Sequence, residues 1–127
     1  MKRPKTRVYA IWIMLVIPFV SGSAALVQTP ASAKLVQIRV TAKRYMFHPD
    51  VITVNQGDHV ELIITATDRD HGIEIPAFGV KQYLKRGVPT AVSFIASRAG
   101  TFSFHCSVFC GLGHRHMKAR LVVEANH

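Results

Sequence analysis

With 127 residues, nearly half of them apolar, the chain has room for one domain with its own core and a short appendage, but not for several domains. The formal charge is +9, yet Lys2, Arg3, Lys5 and Arg7 supply four of it and every acidic residue lies from Asp50 onward. From Lys34 to His127 twelve Lys/Arg face seven Asp/Glu, a net +5; so mild and scattered a surplus argues against a nucleic-acid role and favours a partner with an acidic face.

Residues 1–33 read as an export segment and linker, and residues 34–127 as the domain. Met1 to Arg7 is a basic leader, followed by an apolar run of thirteen residues from Val8 to Val20. A signal peptide needs about 7–15 apolar residues before small residues, which Ser21 to Ala25 or Ala31-Ser32-Ala33 provide. A membrane anchor needs about 20, and Val8 to Val27 is uncharged over that length, with the basic flank kept inside. Both readings predict an apolar N-terminal helix and place the domain outside the cytoplasm. Gln28 to Ala33 is the linker.

From Lys34 the period becomes two. Val36, Ile38, Val40 and Ala42 share one face, Gln37, Arg39 and Thr41 the other, which predicts a first strand. Tyr45 to Pro49 breaks the alternation, Val51 to Val54 resumes it, and Asn55-Gln56-Gly57-Asp58 is turn chemistry. Val60, Leu62, Ile64 and Ala66 predict a further half-buried strand. Asp68-Arg69-Asp70-His71-Gly72 reads as a polar loop before Ile73 to Pro76. Tyr83 to Lys85 and Ala91 to Ala96 are strand candidates on either side of the turn-like Arg86-Gly87-Val88-Pro89, and Thr101 to Phe104 and Ala119 to Val123 complete the set. No segment of useful length has helical periodicity, so an all-β antiparallel sandwich or barrel is expected.

Between the last two strands lies the run Phe104-His105-Cys106-Ser107-Val108-Phe109-Cys110-Gly111-Leu112-Gly113-His114-Arg115-His116-Met117, which holds both cysteines of the protein. Sulfur with imidazole suits copper, whereas calcium and magnesium want oxygens. Cys106, Cys110, His114 and Met117 are spaced so that one loop can surround a metal, and His71 is the natural donor from a neighbouring loop. Other readings stay open on these residues alone. An exported pair of cysteines suits a disulfide; two Cys with two His suit zinc, although Met117 has no use there. A nucleophilic cysteine would need an oxyanion loop and cleft, which the sequence does not offer. His48, His59, His105, His116 and His127 read as surface residues or as neighbours of the ligands, not as ligands.

The pattern Cys106-x-x-x-Cys110-x-x-x-His114-x-x-Met117, with His71 upstream, resembles the CuA motif of cytochrome c oxidase subunit II and of the electron-accepting domain of nitrous oxide reductase. Ala99 to Phe104 looks like the strand that leads into the copper loop of cupredoxins. The resemblance spans Lys34 to Glu124. It implies a Greek-key cupredoxin β-sandwich and a dinuclear mixed-valence copper centre. In such a centre Cys106 and Cys110 bridge two copper ions, His71 and His114 bind one each, Met117 ligates weakly, and Val108 contributes its carbonyl. Two bridging thiolates spread one electron over both metals and lower the reorganisation each transfer demands. Phe102, Phe104, Phe109 and Leu112 are expected to exclude water.

The implied function is extracytoplasmic electron transfer rather than catalysis by the chain alone. A c-type cytochrome or a terminal oxidase core subunit is the implied partner, and the membrane is contacted through the N-terminal segment. A mononuclear cupredoxin using His71, Cys110, His114 and Met117, or a copper storage or delivery module, is the alternative. Three features depart from the usual oxidase subunit. Val108 stands where a magnesium-binding Glu is usual, one apolar segment replaces two membrane helices, and the sole tryptophan, Trp12, lies in the export segment. Docking on a standard oxidase therefore does not follow from the resemblance.

Overall fold

The computed structural model describes Gly22, Ala25 and residues 33–126. The expected N-terminal helix within residues 8–27 lies, apart from Gly22 and Ala25, outside the described residues.

Alternation of apolar and polar side chains produces nine strands among the described residues: β1 (Leu35–Lys43), β2 (Met46–His48), β3 (Val51–Asn55), β4 (His59–Ala66), β5 (His71–Ile75), β6 (Val80–Leu84), β7 (Thr90–Ile95), β8 (Gly100–His105) and β9 (Lys118–Glu124). They form two sheets, one ordered β2-β1-β4-β7 and the other β3-β9-β8-β5-β6. Neither order follows the sequence, because the chain crosses repeatedly from one sheet to the other. The result is an all-β sandwich, though not the wholly antiparallel one expected, since β1 pairs with β4 and β3 with β9 in parallel; its helical elements among the described residues are single 3-10 turns at Pro76–Phe78 and His114–His116.

The inner faces are those the alternation predicts. Val40 and Ala42 on β1, and Val60, Leu62, Ile64 and Ala66 on β4, are buried against Ile73, Ile75, Phe104, Ala119, Leu121 and Val123 of the other sheet. Apolar burial of this kind is the main source of stability, at about 25 cal/mol per Å² removed from water. Tyr45 to Pro49 does break the first strand, but it folds back as β2, with Ala42 opposite Phe47. That hairpin drives Phe47 into the core, where its ring centroid lies 5.2 Å from that of Phe104.

The topology gives the sandwich two unlike ends. β5 and β9 start, and β8 stops, at one end, where His71, Met117 and Cys106 consequently meet. At the other end the described chain enters: the His59 amide donates to the Lys34 carbonyl at 2.9 Å and the Gly57 amide to Ala96 at 2.8 Å. Phe78, Phe94 and Phe102 pack together away from the cysteines, with Arg98 over two of the rings. Phe102 thus shields the far end of the sandwich and not the cysteine loop, contrary to the expectation drawn from its position.

Candidate metal centre

One strand and one loop supply every residue of the expected ligand set: His71 opens β5, and the others lie between β8 and β9. β8 ends at His105, so Cys106 is the first residue past the sheet, and its amide donates to the Met117 carbonyl at 3.1 Å. That bond closes the base of the loop. Inside it, the His114 amide donates to Gly111 at 3.0 Å, the His116 amide to Gly113 at 2.9 Å and the Met117 amide to His114 at 3.2 Å. This 3-10 turn brings the His114 ring back over Cys110 and turns Met117 inward.

The polar atoms converge. Cys106 Sγ lies 3.7 Å from Cys110 Sγ, 3.8 Å from His71 Nδ1 and 3.1 Å from the carbonyl oxygen of Val108. Cys110 Sγ lies 3.7 Å from His114 Nδ1 and 3.8 Å from Met117 Sδ. His71, Cys106 and Cys110 offer donor atoms that all fall within 4.8 Å of one another, and all three residues are buried. Covalent sulfurs sit about 2.05 Å apart, so the 3.7 Å separation and the free state of both cysteines rule out the disulfide reading in this structure. Burial, together with hydrogen bonding and charge from Cys106, pushes the Cys110 thiol up to about 11.

His71 is not in a loop, as the polar run around it suggested, but is the first residue of β5 and fully buried. Its Nε2 pairs with Asp68 Oδ1 at 2.7 Å. Partial burial alone would raise the Asp68 carboxyl, but hydrogen bonds from the Arg44 amide, from His71, with the charge that ring carries when protonated, and from the Arg44 guanidinium outweigh it and hold the group well below the usual carboxylate range. With Nε2–H donated to Asp68, the Nδ1 lone pair faces Cys106, the arrangement by which carboxylates orient metal-binding histidines.

Packing of the loop depends on three glycines, Gly72 against the loop and Gly111 and Gly113 against Tyr45. A Cβ on Gly72 would collide with Ser107 Oγ and sit 3.1 Å from the Val108 amide nitrogen, and one on Gly113 would enter the Tyr45 ring. Glycine therefore lets the loop lie on β5 on one side and receive Tyr45 on the other. Phe104, two residues before Cys106, is completely buried beneath the site. Phe109 and Leu112 differ from expectation: they are 70% and 96% exposed, since the loop turns its sulfur atoms inward and its intervening apolar side chains out. Among the remaining histidines, His48, His59 and His116 are exposed and half-buried His105 pairs with Glu74 at 3.5 Å; His127 lies outside the described residues.

The structure thus brings together all six sequence-designated positions: His71, Cys106, Val108, Cys110, His114 and Met117. Sequence reading missed Asp68, Tyr45, Gly72 and Gly113. Asp68 alone had a readable signal, a carboxylate three residues before a candidate ligand. The donor set fits copper: two buried sulfurs, two Nδ1 atoms, a thioether and a carbonyl converge, and no carboxylate oxygen joins them.

Comparison with known proteins gives a consistent result. The family model described as a cupredoxin-like domain matches residues 10–123. Nitrous-oxide reductase of Ralstonia nicotianae is 31% identical over 98 residues, covering 74% of this chain and 15% of that protein. Cytochrome c oxidase subunit 2 of Thermus thermophilus is 28% identical over 107 residues, covering 84% of this chain and 78% of its own length. The chain therefore spans only a small part of the reductase. Among solved structures, the periplasmic domain of subunit II of cytochrome oxidase from Bradyrhizobium japonicum superposes with a TM-score of 0.66 at 22% identity, over 72% of this chain and 85% of that one.

Proposed function

The chain belongs to the cupredoxin-like domain family, and from that premise we propose that it is an extracytoplasmic electron-transfer protein with a dinuclear CuA-type copper centre. The observation that carries this reading is the mutual approach of Cys106 and Cys110 at 3.7 Å, each thiol with its own imidazole nitrogen at 3.7–3.8 Å. A mononuclear blue site needs one thiolate with two imidazoles, and would leave Cys106 without a task.

In this reading His71, Cys106, Cys110 and His114 hold the metals, with Met117 and the Val108 carbonyl as weaker donors. The two copper ions would supply storage of one electron shared between them. The protein's own part is positional and electrostatic. β5, the end of β8 and the closed loop hold the donors on a β-scaffold, so little rearrangement accompanies a change of charge. Asp68 sets the tautomer of His71, and Phe104 and Met117, both fully buried, close the inner side to water.

The homologues are oxidase subunits and reductases, which supports a role in electron transfer. A c-type cytochrome or a terminal oxidase core is the class of partner, reached outside the cytoplasm, with residues 1–33 as anchor or signal. Substituting each cysteine in turn tests the reading. Cys106→Ser and Cys110→Ser should each abolish the two-metal centre, measured as copper content and visible absorption. A Cys106→Ser protein with native spectrum and metal content would assign the site to a single copper.

A further inference from the structure

Charge is not spread evenly over this sandwich. At the end that carries the cysteine loop, seven cations (Lys43, Arg44, Arg69, Lys85, Arg86, Arg115 and Lys118) stand with three carboxylates, Asp50 beside the start of β9, Asp68 and Asp70. Asp68 and Asp70 are engaged. Asp68 pairs with Arg44 and His71, while Asp70 accepts from the Tyr83 hydroxyl and the Arg86 amide. Of the other acidic residues of the domain, Asp58, Glu61 and Glu124 lie toward the far end, and Glu74 is tied to Lys81 and His105 on a strand flank.

Two shallow cavities flank the loop. One, of about 440 Å³, is lined by Asp68, Arg69, Asp70, Arg86, Val108 and Phe109 among others. The other, of about 320 Å³, is lined by His105, Cys106, His114, Arg115 and Lys118. The exposed Phe109 and Leu112 stand on the loop between them, and the Phe109 ring leans on His114 with centroids 5.8 Å apart. An apolar centre, one ring away from a donor of the proposed metal site and bordered by cations on both sides, has the make-up of a docking face with a charged rim.

Resting on the electron-transfer reading, we propose that this face docks a redox protein whose own contact surface is acidic around an exposed apolar cofactor edge. Phe109 and Leu112 meet the apolar edge. Arg69 and Arg86 on one side, and Arg115 and Lys118 on the other, pair with the partner's carboxylates. The cations lie at the rim and in water, so their main effect is on encounter and orientation, and it is screened by salt.

Stopped-flow electron transfer between the copper-loaded full chain and two donors, an acidic and a basic c-type cytochrome, tests the proposal over a range of ionic strength. The acidic donor should react fastest at low salt and slow as salt is added, and the basic donor should show the reverse trend. Arg86→Glu and Lys118→Glu, one in each cavity and neither a donor of the site, should together slow association with the acidic donor about tenfold at low salt. NMR line broadening of the metal-free chain on addition of the acidic cytochrome gives a readout independent of copper, and the same two substitutions should weaken it. A fast reaction with the basic donor that salt suppresses, or charge reversals that leave both readouts unchanged, would overturn the proposal. Failure of the electron-transfer reading looks different: no electron passes with either donor, while the binding measurement still decides the docking face.

Discussion

The Nε2–H of His71 is buried and has one acceptor, Asp68, at 2.7 Å. That single bond decides which nitrogen faces the sulfurs, so Asp68 acts on the site without touching it. Asp68→Ala should leave the fold intact and lower copper affinity about 10–100-fold, the usual cost of losing a partner that orients a ligand; competition against a copper chelator measures it. Met117 works differently. Its Sδ lies 3.8 Å from Cys110 Sγ and the residue is fully buried, and a thioether is a weak donor that adjusts electronics more than affinity. Met117→Leu should therefore retain copper and raise the reduction potential, because a donor to the oxidised state is lost while the volume is kept. Voltammetry with no shift would reduce Met117 to a packing residue.

At the scale of elements, the strands could be read from the sequence because one face of each is buried and period two then has a physical cause. β1, β4 and β9 fall where the alternation puts them, and the loop donors were identifiable because sulfur, imidazole and spacing carry chemistry on their face. What was not legible depends on contacts between distant segments. Phe109 and Leu112 look like shielding by composition, yet only the fold decides which way a loop turns its side chains. His71 looked like a loop residue because Asp68, Arg69 and Asp70 precede it, whereas β5 pairing with β6 begins at that residue, opposite Leu84. Tyr45 over Gly111 and Gly113 has no local signature at all. Its consequence is testable: Gly113→Ala places a methyl group in the Tyr45 ring, and Gly113→Ala should destabilise the metal-free domain by about 1–3 kcal/mol, the range for overpacking. Thermal unfolding measures this, and Tyr45→Ala in the same chain should recover part of the loss if the two groups collide as described.

For the whole molecule, the sandwich separates duties between its ends. One end receives the chain through Lys34 and seals it with Phe78, Phe94 and Phe102; the other gathers the donors contributed by β5, the end of β8 and the loop into β9. Because His71 joins the loop donors only when β5 and the loop come together, the unfolded chain has no equivalent complete site, and copper should stabilise the fold by mass action, about 2.7 kcal/mol at a free concentration a hundred times Kd. The central claim is that the two thiols hold a pair of metals and not one. Metal content and the visible spectrum of the copper-loaded full chain, recorded on one sample, test that claim most directly. The account predicts two copper atoms per chain and a purple mixed-valence spectrum with split visible bands. One copper per chain with a single dominant band toward the red would contradict it.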